Sequence, residues 1–431
     1  MSDLPVLDVA LSGRPVGTLT LLPGDRTLFA FHQAYIDDPD RPTLSLSFKD
    51  ALGGLITDMR LPHNRLPPFF SNLLPEGPLR DYLAQKAGVH PQREFFLLGI
   101  LGRDLPGAIT VEPAEGEPRF GENGDGEPDA GVLPDTTLRF SLAGVQLKFS
   151  AVMEAAGGLT IPARGVGGSW VVKLPSMRYP NVPENEFAMM EMARAVGIDV
   201  PEVRLVPLGE IAGLPEDLIP MAPQASNLAN ALAVKRFDRR ENGKAVHMED
   251  FAQVFGLYPE RKYQRASYRN IAEVLWAETG ETGVAQFVRR LVFNALIGNA
   301  DMHLKNWSLV YPDGRTAALS PGYDFVSTIA YLPDTRMALT LGRSKEMTDL
   351  SASQLSYFAA KAKLPEKMVL DTARQTVERF MEAWNARKVL RASNPDIFGP
   401  IDALLPRITL VREVAAPKAR TKALMRLPTA P

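Results

Sequence analysis

The stretch GNADMHLKN at residues 298–306 follows directly on a run of apolar residues with helical spacing, and this junction constrains the fold most. Val284, Phe287, Val288, Leu291, Val292, Ala295 and Leu296 share one face of residues 284–296, with Arg289 and Arg290 on the other. Gly298 and Asn299 read as a helix stop, since both tolerate the left-handed conformation. Residues 307–311 then read as a strand, Pro312-Asp313-Gly314 as a turn, and residues 316–319 as a returning strand that leads to Asp324 in GYDFVS. Asp301 and Asn306 stand five apart, and Asp324 comes 18 residues after Asn306. That is the spacing of a carboxylate that orients an attacking hydroxyl, with an amide oxygen and a second carboxylate that hold magnesium across phosphates. Taken singly, Asp301 and Asn306 read equally well as turn formers. His303, between them, reads as functional, and Lys305 reads either as a γ-phosphate contact or as a solvated loop charge.

Composition excludes several classes. The 431 residues carry a net charge of -2, which gives no global basic field for nucleic acid. The absence of cysteine excludes disulfides, thiol nucleophiles and thiolate metal sites, and suits a reducing compartment. The N-terminus has no uninterrupted apolar core of a signal peptide, and no run of roughly 18 apolar residues occurs. A cytoplasmic protein is expected.

Seven acids and many Gly and Pro residues fill residues 112–129, the composition of an exposed connector. The expected division is a β-rich N-terminal subdomain at 1–111, a linker at 112–133, a β-rich lobe at 134–240 and an α-rich lobe at 241–431. Within the first part, residues 6–11, 16–22, 28–36 and 43–48 read as strands and residues 79–101 as helical. The basic, Pro-bounded tail from Ala415 reads as a frayed terminus, with contact to DNA or an acidic partner as the alternative.

The β-rich lobe is expected to hold phosphates. Residues 170–174 (WVVKL) read as a strand after the turn at 165–168, and Lys173 inside it reads either as a phosphate-binding lysine or as a solvent-facing edge residue. A helix is expected from Pro183 to a stop at Gly197, with Glu184 and Glu186 near its start. Either could pair with Lys173 or simply compensate the helix dipole. FSLAGVQLKFS at 140–150 sets Ser141, Gly144 and Gln146 before a strand at 147–152, a loop able to turn N–H groups toward a phosphate. Neither G-x-G-x-x-G nor a Walker-A motif is present. ALAVKRF at 231–237 reads as a strand ending in a hinge between lobes.

SLAGVQLK, VVKLPS, ENEF, ALAVKRFDRR, LIGNADMHLKN and SPGYDFVS, in this order, together with PFFSNLLPEG near the start, resemble the HipA family, serine/threonine-kinase toxins of bacterial toxin–antitoxin pairs. The resemblance covers nearly the whole chain. It implies an α+β, bilobal protein-kinase-like fold preceded by a small β-rich subdomain, and ATP with Mg2+ as cofactors. It implies Asp301 as catalytic base, Asn306 and Asp324 as magnesium ligands, Lys173 as the phosphate-binding lysine and Glu186 as its partner. Ala143, Gly144, Val145, Gln146, Leu147 and Lys148 resemble the phosphate loop. Lys235, Arg236 and Phe237 resemble the adenine hinge, with His303, Leu304, Lys305, Asn306, Tyr323 and Asp324 as further nucleotide contacts. Lys235 stands where the family often has an acid. Ser141 resembles the regulatory autophosphorylation serine. The implied partners are a small DNA-binding, HipB-like antitoxin, operator DNA through it, and a protein substrate. In the best-known members that substrate is the aminoacyl-tRNA synthetase for glutamate. An inactive corepressor and a small-molecule phosphotransferase are the two other readings.

Overall fold

Alternation of apolar and polar residues sets the first sheet. In β1 (Val6–Leu11), Leu7, Val9 and Leu11 are buried while Asp8 is exposed. β2 (Arg14–Leu22) and β3 (Arg26–Phe31) continue the meander, and β4 (Ile109–Pro113) returns to the free side of β1, so the antiparallel order is β3-β2-β1-β4. The structure is a computed structural model that describes residues 4–59, 61–62, 65–114, 148–153, 159–162, 168–176, 178–214 and 229–416.

Three expectations change in this region. The strand expected over 28–36 ends at Phe31 and a short helix, Gln33–Asp37, follows. Residues 43–48 form no strand, because Ser45 caps a 3-10 turn, Leu46–Phe48, and both Ser45 and the Leu46 amide donate to Glu249 of the distant strand β11 described below. The helical stretch 79–101 is two helices, Gly77–Lys86 and Glu94–Leu101, interrupted around Gly88 and Pro91.

A second sheet holds β5 (Lys148–Met153), β6 (Leu159–Thr160), β7 (Trp170–Lys173), β8 (Val203–Pro207), β9 (Ile211–Ala212) and β10 (Asn230–Lys235) in the order β8-β10-β7-β5-β6-β9. All its pairs are antiparallel except β6 with β9. The helix Val182–Val196 packs against β8 and β10 and stops at Gly197. β11 (His247–Asp250), β12 (Ser308–Tyr311) and β13 (Ala318–Leu319) form a small third sheet that frames the polar loop 298–306.

From Phe251 onward helices dominate. The helix Tyr268–Leu296, kinked at Gly280, packs with Glu366–Ala386 around Phe287, Phe293, Trp307, Phe380 and Trp384. Its C-terminal end leads to Gly298, whose φ of +66° and 2.5 Å approach of Ile329 to a hypothetical Cβ leave room for glycine alone. The expected α+β, two-lobed kinase-like architecture with a β-rich domain in front is the fold of this chain. The first domain keeps no core to itself. Leu7, Val9, Phe29, Phe70 and Leu98 share one cluster with Phe149, Trp170, Val172 and Ala233 of the second sheet.

Candidate active site

Register in the second sheet places two cations side by side. Lys148 on β5 is the direct partner of Lys173 on β7, so both side chains leave the same face of the sheet. Lys173, only 7% exposed, is ion-paired with Glu186 at 2.5 Å and also with Asp324. Burial opposes its charge, but the two carboxylates win and hold the ammonium protonated. Glu184 is turned elsewhere and accepts from the Asn230 amide at 3.0 Å. Burial pushes the Glu186 carboxyl up, with Asp324 adding repulsion, against the pull of Lys173. Burial also disfavours the charge on Asp324, yet Lys173 and Lys148 outweigh it and bring this carboxyl down to about 2. Lys148 has no carboxylate in ion-pair contact among the described residues; burial and then the charge of Lys173 push it down to about 8 against the pull of Asp324.

Asp324 itself has φ +56°, a left-handed conformation that costs a non-glycine residue on the order of 1 kcal/mol or more. The segment after it is tied to the helix that carries Glu186. The fully buried Asn185 donates to the Ser327 carbonyl and accepts from the Ser327 amide, both at 3.0 Å. Lys173, Glu186 and Asp324 are therefore held by one rigid connection.

The loop 298–306 is braced from within. The Asp301 amide donates to the Asn299 side chain at 2.9 Å, and the Ala300 amide donates to the Thr328 hydroxyl at 2.8 Å. The Asn306 side chain donates through its amide nitrogen to the Asp301 carbonyl at 2.8 Å, a bond that does not occupy its amide oxygen. The Asp301 carboxylate accepts a short hydrogen bond from the Tyr263 hydroxyl. Burial pushes this carboxyl up, while Tyr263 and Lys262 oppose the shift. His303 is buried against the Tyr263 ring, and burial followed by the charge of Lys262 pushes it down to about 3, so it is neutral near pH 7.

Asp324 thus lies within electrostatic reach of Lys148, Lys173, Glu186, Asp301 and His303, and Asn306 shares the loop with Asp301. Lys305 faces a different partner. Its ammonium is ion-paired with Glu76 at 2.8 Å and donates to the Asn72 carbonyl at 3.2 Å. Leu304 is fully buried, and Tyr323 donates to the Lys305 carbonyl at 3.0 Å. At the end of β10, the Phe237 and Tyr323 rings lie 5.6 Å apart, and Lys235 is partly exposed near Glu241. The Arg236 side chain is sealed in a buried network with Asp104 and Asp238, and its amide donates to Ser169 at 2.8 Å. Ser141, Ala143, Gly144, Val145, Gln146 and Leu147 lie outside the described residues.

Sequence reading missed Tyr263 and Glu76. Tyr263 precedes the long helix in a loop of no recognisable pattern, and Glu76 sits in the first domain, within PFFSNLLPEG, where only the string itself was a signal. The fit of the donor set to magnesium rests on two oxygens, the amide oxygen of Asn306, which the bond to Asp301 does not use, and the ionised Asp324. Magnesium commonly takes one or two protein carboxylates and fills the remaining positions with water and substrate phosphates. Among the described residues no cluster of three or more His, Cys, Asp or Glu residues forms a closed cage.

Comparison with known proteins covers both halves of the chain. Residues 7–112 match the HipA N-terminal domain family and residues 140–384 the HipA-like C-terminal domain family. Y4dM of Sinorhizobium fredii is 56% identical over 424 residues, covering 96% of this chain and 100% of that protein. The serine/threonine-protein kinase toxin HipA of Shewanella oneidensis is 26% identical over 412 residues, 88% of each chain. The solved complex of Shewanella oneidensis MR-1 HipA, HipB and operator DNA contains a chain that superposes with a TM-score of 0.71 at 23% identity, covering 95% of this chain and 99% of that one.

Proposed function

This chain belongs to the HipA family, and from that premise we propose that it is a serine/threonine protein kinase, the toxin of a toxin–antitoxin pair, which transfers the γ-phosphoryl group of ATP to a host protein. The observation that carries this reading is the facing pair Lys148 and Lys173. Like charges directly opposed in a sheet are destabilising, and the two carboxylates at this point contact only Lys173. An anionic ligand such as a triphosphate would compensate the other.

The roles follow from position. Lys173, oriented by Glu186, binds the phosphates nearest the sheet. Asp301 takes the proton of the acceptor hydroxyl at the oxygen where Tyr263 now donates. The amide oxygen of Asn306 and the carboxylate of Asp324 would hold magnesium, which would supply positive charge to stabilise the phosphates. Neutral His303 packs beside the loop without adding charge. The apolar faces of Phe237 and Tyr323 suit a purine, with the backbone of residues 235–237 as its hydrogen-bonding edge. Phosphorylation of Ser141 would add about -1.5 to -2 charges just before Lys148, which repels a triphosphate and turns the enzyme off. The complex of the Shewanella protein with HipB and operator DNA supports a HipB-like antitoxin as partner here.

The test incubates the purified full chain with labelled ATP and magnesium beside Asp301→Asn, and maps modified residues by mass spectrometry. The expected result is label on Ser141 or on a lysate protein, falling roughly 100-fold or more in the variant, with ATP affinity little changed. Nucleotide binding without any transfer would instead favour a corepressor role, and transfer confined to small molecules a metabolite phosphotransferase.

A further inference from the structure

Glu76 belongs to the first domain, as the residue preceding the helix Gly77–Lys86, but its carboxylate caps no amide of that helix. It reaches across to the α-rich lobe and meets two ammonium groups, Lys262 at 2.9 Å and Lys305 at 2.8 Å. Both lysines are 8% exposed, so neither charge is balanced by water. The surrounding contacts close a ring. The Leu304 amide donates to the Lys262 carbonyl at 3.1 Å, which joins the two lysine-bearing segments through the backbone as well. Lys305 also donates to the Asn72 carbonyl at 3.2 Å, and the Asn72 side chain donates to the Leu257 carbonyl at 2.7 Å. The Gln253 side chain adds a bond to the Phe69 carbonyl at 3.0 Å. Residues 69–76 of the first domain are thereby fastened to the floor of the loop that holds Asp301 and Asn306.

Each lysine touches that loop at a decisive place. Lys305 is the residue before Asn306, and Lys262 is the residue before Tyr263, the hydrogen-bond donor to Asp301. We propose that Glu76 is a positioning residue for phosphoryl transfer: one carboxylate from the first domain neutralises Lys262 and Lys305 together, and so fixes the loop that presents Asp301 and Asn306. The first domain is then part of the catalytic apparatus. Without the carboxylate, two buried ammonium groups repel each other beneath the loop, and displacements of about 1 Å in such a site cost roughly 100-fold in rate. This rests on the reading of Asp301 as the base that serves the transfer reaction.

The experiment compares the full-length wild type with Glu76→Gln, Glu76→Asp, Lys305→Met and Asp301→Asn in single-turnover transfer from labelled ATP, together with ATP affinity by calorimetry and thermal unfolding. Glu76→Gln is expected to lower the transfer rate roughly 10- to 100-fold while ATP affinity stays within about threefold, and Glu76→Asp to recover part of the rate. The combination of Glu76→Gln with Lys305→Met should lose less than the product of the two single losses, because both break one contact. A Glu76→Gln protein that folds and transfers within twofold of wild type overturns the proposal. If that variant does not fold, Lys305→Met carries the decision, since an unchanged rate there overturns it equally. Wild-type transfer by Asp301→Asn would instead overturn the underlying reading of the site, whatever Glu76 does.

Discussion

The chemistry of the site turns on how few carboxylates serve how many cations. Lys173 takes Glu186 and Asp324, Glu76 takes Lys262 and Lys305, and among the described residues Lys148 has only the longer-range pull of Asp324 and Glu186 against its burial. With its ammonium at about 8, below the usual lysine range, Lys148 is charged at neutral pH and loses its proton in mildly alkaline solution. A bound triphosphate favours the charged form, so binding should take up a proton above about pH 8 and weaken as pH rises from there towards 10. Calorimetry near pH 7 and pH 9.5 should show this loss in wild type. Lys148→Met should bind roughly tenfold more weakly at neutral pH and show a flatter profile. Equal pH slopes in the two proteins would remove Lys148 from the phosphate site.

At the scale of elements, β11 is where the first domain and the α-rich lobe meet. Its Glu249 is fully buried, has no cation in ion-pair contact among the described residues, and accepts from Ser45, from the Leu46 amide and from Tyr311. Burial pushes this carboxyl up to about 7. A folded-state value above the unfolded one means that the native protein holds the proton longer. Stability from this group is present below about pH 4 and is lost as pH rises through about 7. His247 on the same strand is pushed down to about 4 by burial and pulls the opposite way at acid pH, so the whole-protein profile mixes the two. The clean measurement is a difference. The stability gap between wild type and Glu249→Gln, from urea titrations at about pH 5 and pH 8, should move by up to roughly 3 kcal/mol in favour of the variant at the higher pH. A constant gap would mean that Glu249 does not titrate in this range.

For the whole molecule, the shared core matters most. Phe149, Ala151, Trp170, Val172, Ala231 and Ala233 of the second sheet are buried in the same cluster as the first domain's Phe29, Phe70 and Leu98. Removing the first domain would bare a contiguous apolar sheet face, and patches beyond a few hundred Å2 drive association. A chain beginning at residue 134 is therefore expected to be recovered as aggregate, or to bind hydrophobic dye without cooperative unfolding. A monomeric, cooperatively folding fragment would show that the sheet face closes by itself. Among the described residues no helix is long and apolar enough to cross a membrane.

Local patterns made much of this legible. The stripe from Val284 to Leu296 and the stop at Gly298 need only helical periodicity and one left-handed residue, and the strand alternation around Leu7, Val9 and Leu11 needs only the pleat. Asp301 and Asn306 could be singled out because one short loop carries both. Other features depend on partners far away in sequence. Residues 43–48 read as a strand, but Glu249 captures Ser45 and Leu46. Sequence spacing left Glu184 and Glu186 open, and the packing of their helix on β10 turned one to Asn230 and the other to Lys173. Arg236 read as part of the adenine hinge and Lys305 as a phosphate contact or a solvated charge, but Asp104 and Asp238 hold the first side chain and Glu76 the second, with Asp104 and Glu76 coming from distant parts of the chain. The sequence by itself determined the elements whose periodicity is uninterrupted and their order along the chain, because periodicity and turn chemistry act over a few residues. Only the tertiary structure decided which carboxylate neutralises which buried cation, because the cost of burying a charge is settled by whatever the fold brings within about 4 Å.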